Sequence, residues 1–189
     1  MTKLLGISGS LRAGSFNTAL LRAAQQGAGA DVNIEIATLH GIPLYDGDEE
    51  SRSGIPAAVT ALKEKIFASD GVVLATPEYN GGVPGVLKNG IDWLSRGSDS
   101  KRVYFGRPFA IMGATPGGMA TLGSQNAWLP ILKKLGAQVW SGGSVMVSRA
   151  PSLMNASGEY TDEATRKLVT EFVQGFAAFA VQARAKISK

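Results

Sequence analysis

Three times along this chain a short apolar run ends in a glycine-rich loop that opens a helical pattern, and that repeated order leaves few folds open. The runs are Leu4 to Ile7, Gly71 to Ala75 and Pro108 to Met112, and the loops follow at Gly9, Thr76 and Gly113. Gly71-Val72-Val73-Leu74-Ala75 is apolar almost throughout, as a strand is when helices cover both its faces. Val32-Asn33-Ile34-Glu35-Ile36 alternates instead and reads as an edge strand. Gln138-Val139-Trp140 and Ser144-Val145-Met146-Val147, interrupted by Gly142-Gly143, make a fifth. The pattern predicts an α/β fold, a doubly wound five-stranded parallel sheet with helices on both faces. At 189 residues the chain is one domain, 1–189.

The helical stretches carry their own boundaries. The first runs from about Ser15 to Gln26 and stops at Gly27 and Gly29. A second, roughly Ala57 to Ala68, turns Val59, Leu62 and Ile66 to the sheet, and a third, after Pro84, carries Val86, Leu87, Ile91 and Leu94. The helix with Leu122, Trp128, Ile131, Leu132 and Leu135 is expected to bend at Pro130, which cannot donate a helical hydrogen bond. The last helix, Thr161 to about Ile187, opens on Asp162 and Glu163 and buries Leu168, Val169, Phe172, Val173, Phe176 and Phe179. Between His40 and Pro56 a long connection holds Asp46, Asp48, Glu49 and Glu50, which read as a solvated loop tip.

Composition removes most reaction classes. The chain has no cysteine, so disulfides, thiolate metal sites and cysteine nucleophiles are excluded. His40 is the only histidine, which leaves no histidine metal cluster and no Ser-His-Asp set. Chemistry here is expected to be carried by a bound cofactor. The net charge of +4 favours anionic ligands mildly, without the basic block and interleaved aromatics of a nucleic-acid surface. No apolar run is long enough to span a bilayer, and Ser8-Gly9-Ser10 with Arg12 cuts the first one too short for a secretory signal, so the expected location is cytoplasmic.

Gly9-Ser10-Leu11-Arg12-Ala13-Gly14-Ser15-Phe16-Asn17 is the most informative loop. A loop of this kind between a strand and a helix aims unpaired N–H groups and a positive dipole end at one point, an anion site. Ser15-Phe16 stands where a nucleoside-triphosphate loop needs Lys-Ser/Thr, and Gly6, Gly9 and Gly14 miss the dinucleotide spacing. A single terminal phosphate suits the loop, with Ser10, Arg12, Ser15 and Asn17 as donors; the other reading is a serine-rich turn that caps a helix through Ser15.

Gly9-Ser10-Leu11-Arg12 with Ser15 and Asn17, followed by Pro77-Glu78-Tyr79-Asn80-Gly81, Pro84-Gly85 and Lys88-Asn89, resembles the NAD(P)H-dependent FMN reductase family, nearest to its chromate and quinone reductases and related azoreductases. The likeness covers nearly the whole chain in element order. It implies a flavodoxin-like sheet of order 2-1-3-4-5, bound FMN, NADPH or NADH as co-substrate, and a homodimer or homotetramer. It also implies that Ser10, Arg12, Ser15 and Asn17 hold the FMN phosphate, and that Pro77, Glu78, Tyr79 and Asn80 line the isoalloxazine. Gly117 and Gly118 would let the third loop approach the ring edge or the phosphate. Tyr79 otherwise caps the third helix, and Glu78 is otherwise a solvated turn residue.

On this reading no protein acid or base is needed, because hydride passes through the flavin to a soluble acceptor: a quinone, chromate, free flavin or an azo compound. Lys101 and Arg102, with Arg96 and Arg107 nearby, either guide an anionic substrate toward the flavin or belong to a solvated loop. From another class, a flavodoxin-like FMN electron carrier reduced by a protein partner stays open, although such carriers are typically acidic and this chain is basic.

Overall fold

In the computed structural model, residues 1–187 are described, with side chains through Ala183. The strands are β1 (Thr2–Ser8), β2 (Val32–Ala37), β3 (Gly71–Ala75), β4 (Pro108–Ala114), β5 (Gln138–Val139) and β6 (Val145–Val147). The helices are α1 (Phe16–Gly27), α2 (Gly47–Ser53), α3 (Ala57–Phe67), α4 (Gly85–Leu94), α5 (Ser100–Tyr104), α6 (Leu122–Leu135) and α7 (Glu163–Ile187). All pairings are parallel and the order is β2-β1-β3-β4-β5, with β6 also on β4. This is a flavodoxin-like sheet. β5 pairs with Pro108 and Phe109, and β6 with Met112 to Ala114, so the two pieces share the fifth strand position. Trp140 fills the break between them and meets Phe172 edge-on at 5.1 Å. A Cβ on Gly142 would lie 2.6 Å from the Trp140 indole nitrogen, so only glycine leaves room for the ring.

The two-residue period of a strand sorts each apolar run onto two faces. Leu4, Val73, Ala110 and Met112 pack with α1 and α7 through Leu20, Leu21, Phe172 and Phe176. Leu5, Ile7, Val72, Leu74 and Phe109 pack on the opposite face with α3, α4 and α6 through Ile66, Trp93 and Trp128. Double coverage is why β3 shows no polar alternation. In α7 the buried stripe is Val169, Phe172, Val173, Phe176, Ala177 and Ala180, while Leu168, expected inside, lies 41% exposed on its margin. Asp162 precedes α7 and accepts hydrogen bonds from the Thr165 amide and hydroxyl. Helix α6 runs on through Pro130 to Leu135.

The connection from His40 to Pro56 departs from expectation. It contains α2, whose first turn holds Asp48, Glu49 and Glu50 at the positive helix end and which Asp46 caps. The segment lies strapped along α4: the Pro43 carbonyl accepts from Asn89 (2.8 Å) and Trp93 (2.9 Å), and Arg96 donates to Glu50 at 2.8 Å. The acidic run is therefore a docked helix start, not a loose tip. No residue of α2 is buried, so it has no apolar period to betray it.

At the amino edge of the sheet, Lys63 is only 2% exposed and donates to Asp99 at 2.5 Å and to the Arg96 carbonyl at 2.6 Å. The hydrogen bond from Lys63 holds the Asp99 carboxyl below its ordinary range. A depressed carboxyl contributes stability that is complete above its unfolded value, about 4, and is lost as pH falls through its folded value. Urea unfolding of wild type and Asp99→Asn is expected to differ fully above about pH 4 and to converge as pH falls below it. A difference that stays constant down to pH 2 would contradict the pairing.

Candidate functional site

Because β1, β3 and β4 are parallel, the loops that follow them open at one edge. The chain leaves β1 toward β2 on one side, and β3 lies on the other, so a crevice opens between the ends of β1 and β3. Strand pairing extends one residue into the first two loops: Gly9 donates to the Ala75 carbonyl and Thr76 to the Met112 carbonyl, both at 2.8 Å. The crevice is partly open to solvent, and all three loops line it.

Loop one supplies Ser10, Arg12, Ser15, Phe16 and Asn17. Ser15 is extended at φ −71° and ψ 122° and its Oγ accepts from the Thr18 amide at 3.1 Å, so it caps α1. Its hydroxyl proton and the amides of Phe16 and Asn17, at the first positions of the helix, remain for an anion. Ser10 repeats the arrangement, accepting from the Arg12 amide at 3.3 Å. The helix cap and the anion site are thus the same residues. The Arg12 guanidinium sits 5.6 Å from the Phe16 ring centre and has no salt bridge among the described residues. Asn17, expected to hold phosphate, lines the crevice, and its side chain also bonds to the sheet: Nδ2 donates one proton to the Ala114 carbonyl (2.9 Å) and Oδ1 accepts from the Ala114 amide (3.0 Å). That pair copies a strand ladder and pins the start of α1 to the end of β4.

Loop two contributes Pro77, Glu78 and Tyr79. Tyr79-Asn80-Gly81-Gly82 is a type I′ turn, with Asn80 at φ 53°, Gly81 at φ 73° and reciprocal bonds between Tyr79 and Gly82. The Tyr79 ring is 51% exposed at the rim. Asn80 is at the tip, outside the crevice lining. Glu78 is partly exposed on the crevice lining and tied to α6: Oε2 accepts from the Ser124 amide at 2.9 Å.

Loop three reaches the crevice through other residues than its glycines. Ala114, Thr115 and Pro116 line the crevice, while Gly117 and Gly118 lie beyond its lining. The Gly117 amide donates to Thr115 Oγ1 and its carbonyl accepts from Arg149, so it shapes the turn. Phe16, Ala114 and Pro116 are site residues that sequence reasoning missed; nothing in their types marks them. Tyr160 was missed as well. It lies behind loop one, donates to the Phe16 carbonyl at 3.3 Å, and burial raises its hydroxyl pKa.

Lys101 and Arg102 are not at this site. Helix α4 returns from the loop edge to the amino edge, so α5 lies beside the start of β4. Arg102 stacks 4.0 Å from the Phe67 ring centre and its carbonyl accepts from Arg107, which also reaches the Ser69 carbonyl just before β3. Arg102 and Arg107 brace the far edge of the sheet.

Among the described residues no cluster of His, Cys, Asp or Glu could hold a metal. Hydroxyls, helix amides and one arginine around a point suit a phosphate monoester, and the lining's one carboxylate, Glu78, is turned to α6. Pro77, Tyr79 and Pro116 offer flat apolar sides to a ring. Fold and site together define a flavodoxin-like protein with a crevice suited to a phosphate monoester at its switch point.

Residues 2–152 match the family model for NADPH-dependent FMN reductase. An NAD(P)H-dependent FMN reductase of Pseudomonas aeruginosa is 40% identical over 172 residues, 91% of each chain. A quinone reductase of Escherichia coli K12 is 37% identical over 183 residues, 94% of each chain. The solved structure of a flavoenzyme NAD(P)H:(acceptor) oxidoreductase from Paracoccus denitrificans superposes with a TM-score of 0.85 at 29% identity, over 97% of this chain and 99% of that one. The chain belongs to the NADPH-dependent FMN reductase family and is an oxidoreductase using FMN and NAD(P)H.

If Arg12 reads the phosphate, Arg12→Ala weakens FMN binding about tenfold, the worth of one charge-assisted hydrogen bond, and leaves riboflavin binding unchanged. Flavin fluorescence quenching measures both. Equal losses for the two flavins would contradict the assignment.

Proposed function

We propose that the chain passes electrons from NADPH or NADH to a soluble quinone through FMN held between its three loops. The observation that carries this reading is a crevice that joins a phosphate-reading loop to an open rim at Tyr79, with Glu78, tied to α6, as the one carboxylate of its lining. Bound FMN supplies the two-electron chemistry, taking hydride from the reduced nicotinamide and returning two electrons to an oxidised acceptor. Ser10, Arg12, Ser15 and the amides of Phe16 and Asn17 hold the phosphate. Pro77, Tyr79 and Pro116 border the ring, and the exposed Tyr79 leaves space where a flat nicotinamide or quinone can lie against it.

The quinone reductase likeness favours a quinone over chromate, free flavin or an azo compound. Reduced nicotinamide as donor supports a cytoplasmic location, and no described helix is long and apolar enough to cross a membrane. Self-association into a dimer or tetramer is part of the same reading. Exposed Leu122, Leu129 and Met146 share an apolar groove beside Trp140, the kind of surface a second copy covers.

Anaerobic addition of NADPH or NADH to the FMN-loaded protein is expected to bleach the flavin bands without a second protein, and 1,4-benzoquinone to restore them. Bands that persist until a reductase is supplied would make the chain an electron carrier.

A further inference from the structure

The crevice walls are joined behind the ligand side by a buried network that the proposed reaction does not use. Thr76, Ser124 and Trp128 are fully buried. Trp128 Nε1 donates to Thr76 Oγ1 at 3.0 Å, and Thr76 donates to the Pro77 carbonyl at 2.9 Å. Thr76 and Ser124 hydroxyls meet at 2.8 Å; with the Thr76 proton engaged, Ser124 is the donor. The Glu78 carboxylate is the charged member, closing the third amide of α6 from a loop 46 residues away. The backbones are equally close. A Cβ on Gly123 would lie 2.5 Å from the Gly81 carbonyl oxygen, and one on Gly113 would collide with the Thr76 carbonyl and the Thr121 hydroxyl. Loop two, the end of loop three and the first turn of α6 are therefore one block.

Glu78 lies between Pro77 and Tyr79, lines the crevice with them, and gives one carboxylate oxygen to the Ser124 amide of α6. We propose that Glu78 is a positioning residue: by capping α6 it seats loop two and sets the gap between Pro77–Tyr79 and Thr115–Pro116 into which the flavin ring fits. This rests on the reading that FMN occupies the crevice. An acceptor oxygen that satisfies a helix amide with no partner inside its own helix ties the loop carrying it to that helix. The gap governs ring affinity and not phosphate affinity, because loop one is anchored separately through Asn17 and Ala114.

The test is titration of flavin-free protein with FMN and with riboflavin, alongside thermal melting. Glu78→Ala is expected to weaken both flavins equally, by about tenfold or more, as a displaced ring slot should. Gly123→Ala, which forces α6 off the Gly81 carbonyl, is expected to do the same. Glu78→Gln, which keeps an acceptor oxygen, is expected to restore binding of both flavins to within about threefold of wild type. Asp162→Ala, which removes the cap of α7 far from the crevice, should lower the melting temperature and leave both affinities unchanged. If Glu78→Ala lowers the melting temperature but binds both flavins like wild type, Glu78 is only a helix cap and the proposal is overturned. A Glu78→Gln variant as weak as Glu78→Ala also overturns it, because the charge would then act on the ligand directly. Wild-type protein that quenches no FMN fluorescence removes the reading beneath the proposal, and the proposal falls with it; normal FMN binding with a selective Arg12→Ala loss keeps that reading intact whatever Glu78 does.

Discussion

Asn17 and Ala114 exchange two hydrogen bonds across 97 residues of sequence, and the site depends on that exchange. A side-chain amide there takes the place of a neighbouring strand for the last residue of β4, where the ladder would otherwise end on unpaired polar groups. Satisfying them from α1 fixes the helix whose amino end forms the anion site. Phosphate recognition and the integrity of the sheet edge are thus one interaction. The 2% exposure of Asn17 keeps water from competing for it.

Around this tie each loop is held by different chemistry. Loop one is a helix cap in which Ser15 satisfies Thr18 with its lone pairs and keeps its proton for a ligand. Loop two is a tight hairpin whose Asn80 and Gly81 adopt positive φ and whose base is clamped to α6. Loop three turns through Pro116 and is closed by hydrogen bonds from Arg149 and Ala150 back to its own backbone. Each of these arrangements is closed by hydrogen bonds within the chain. Preorganisation of this kind reduces the ordering cost of binding.

Much of this was legible in the sequence, for physical reasons. The apolar runs gave the parallel sheet because a doubly covered strand has no polar face, and β3 shows this plainly. Ser10, Arg12 and Ser15 were visible because anion sites use few residue types. What stayed hidden depended on distance or direction. The bonds that tie Asn17 to Ala114 and Glu78 to Ser124 could not be read from the sequence, because the partners lie 97 and 46 residues apart. Lys101 and Arg102 looked like substrate guides because charge along a chain does not show which sheet edge it occupies; the return of α4 to the amino edge decides that. Gly117 and Gly118 stand out in the sequence because they permit a close approach, but the residues on the crevice wall are Thr115 and Pro116.

The measurement that reaches the central claim most directly is a crystal structure of the FMN complex. The phosphate should lie within hydrogen-bond distance of the Phe16 and Asn17 amides and of the Ser10 and Ser15 hydroxyls, with the ring bordered by Pro77, Tyr79 and Pro116. A flavin seated elsewhere, or a phosphate outside loop one, would contradict the account.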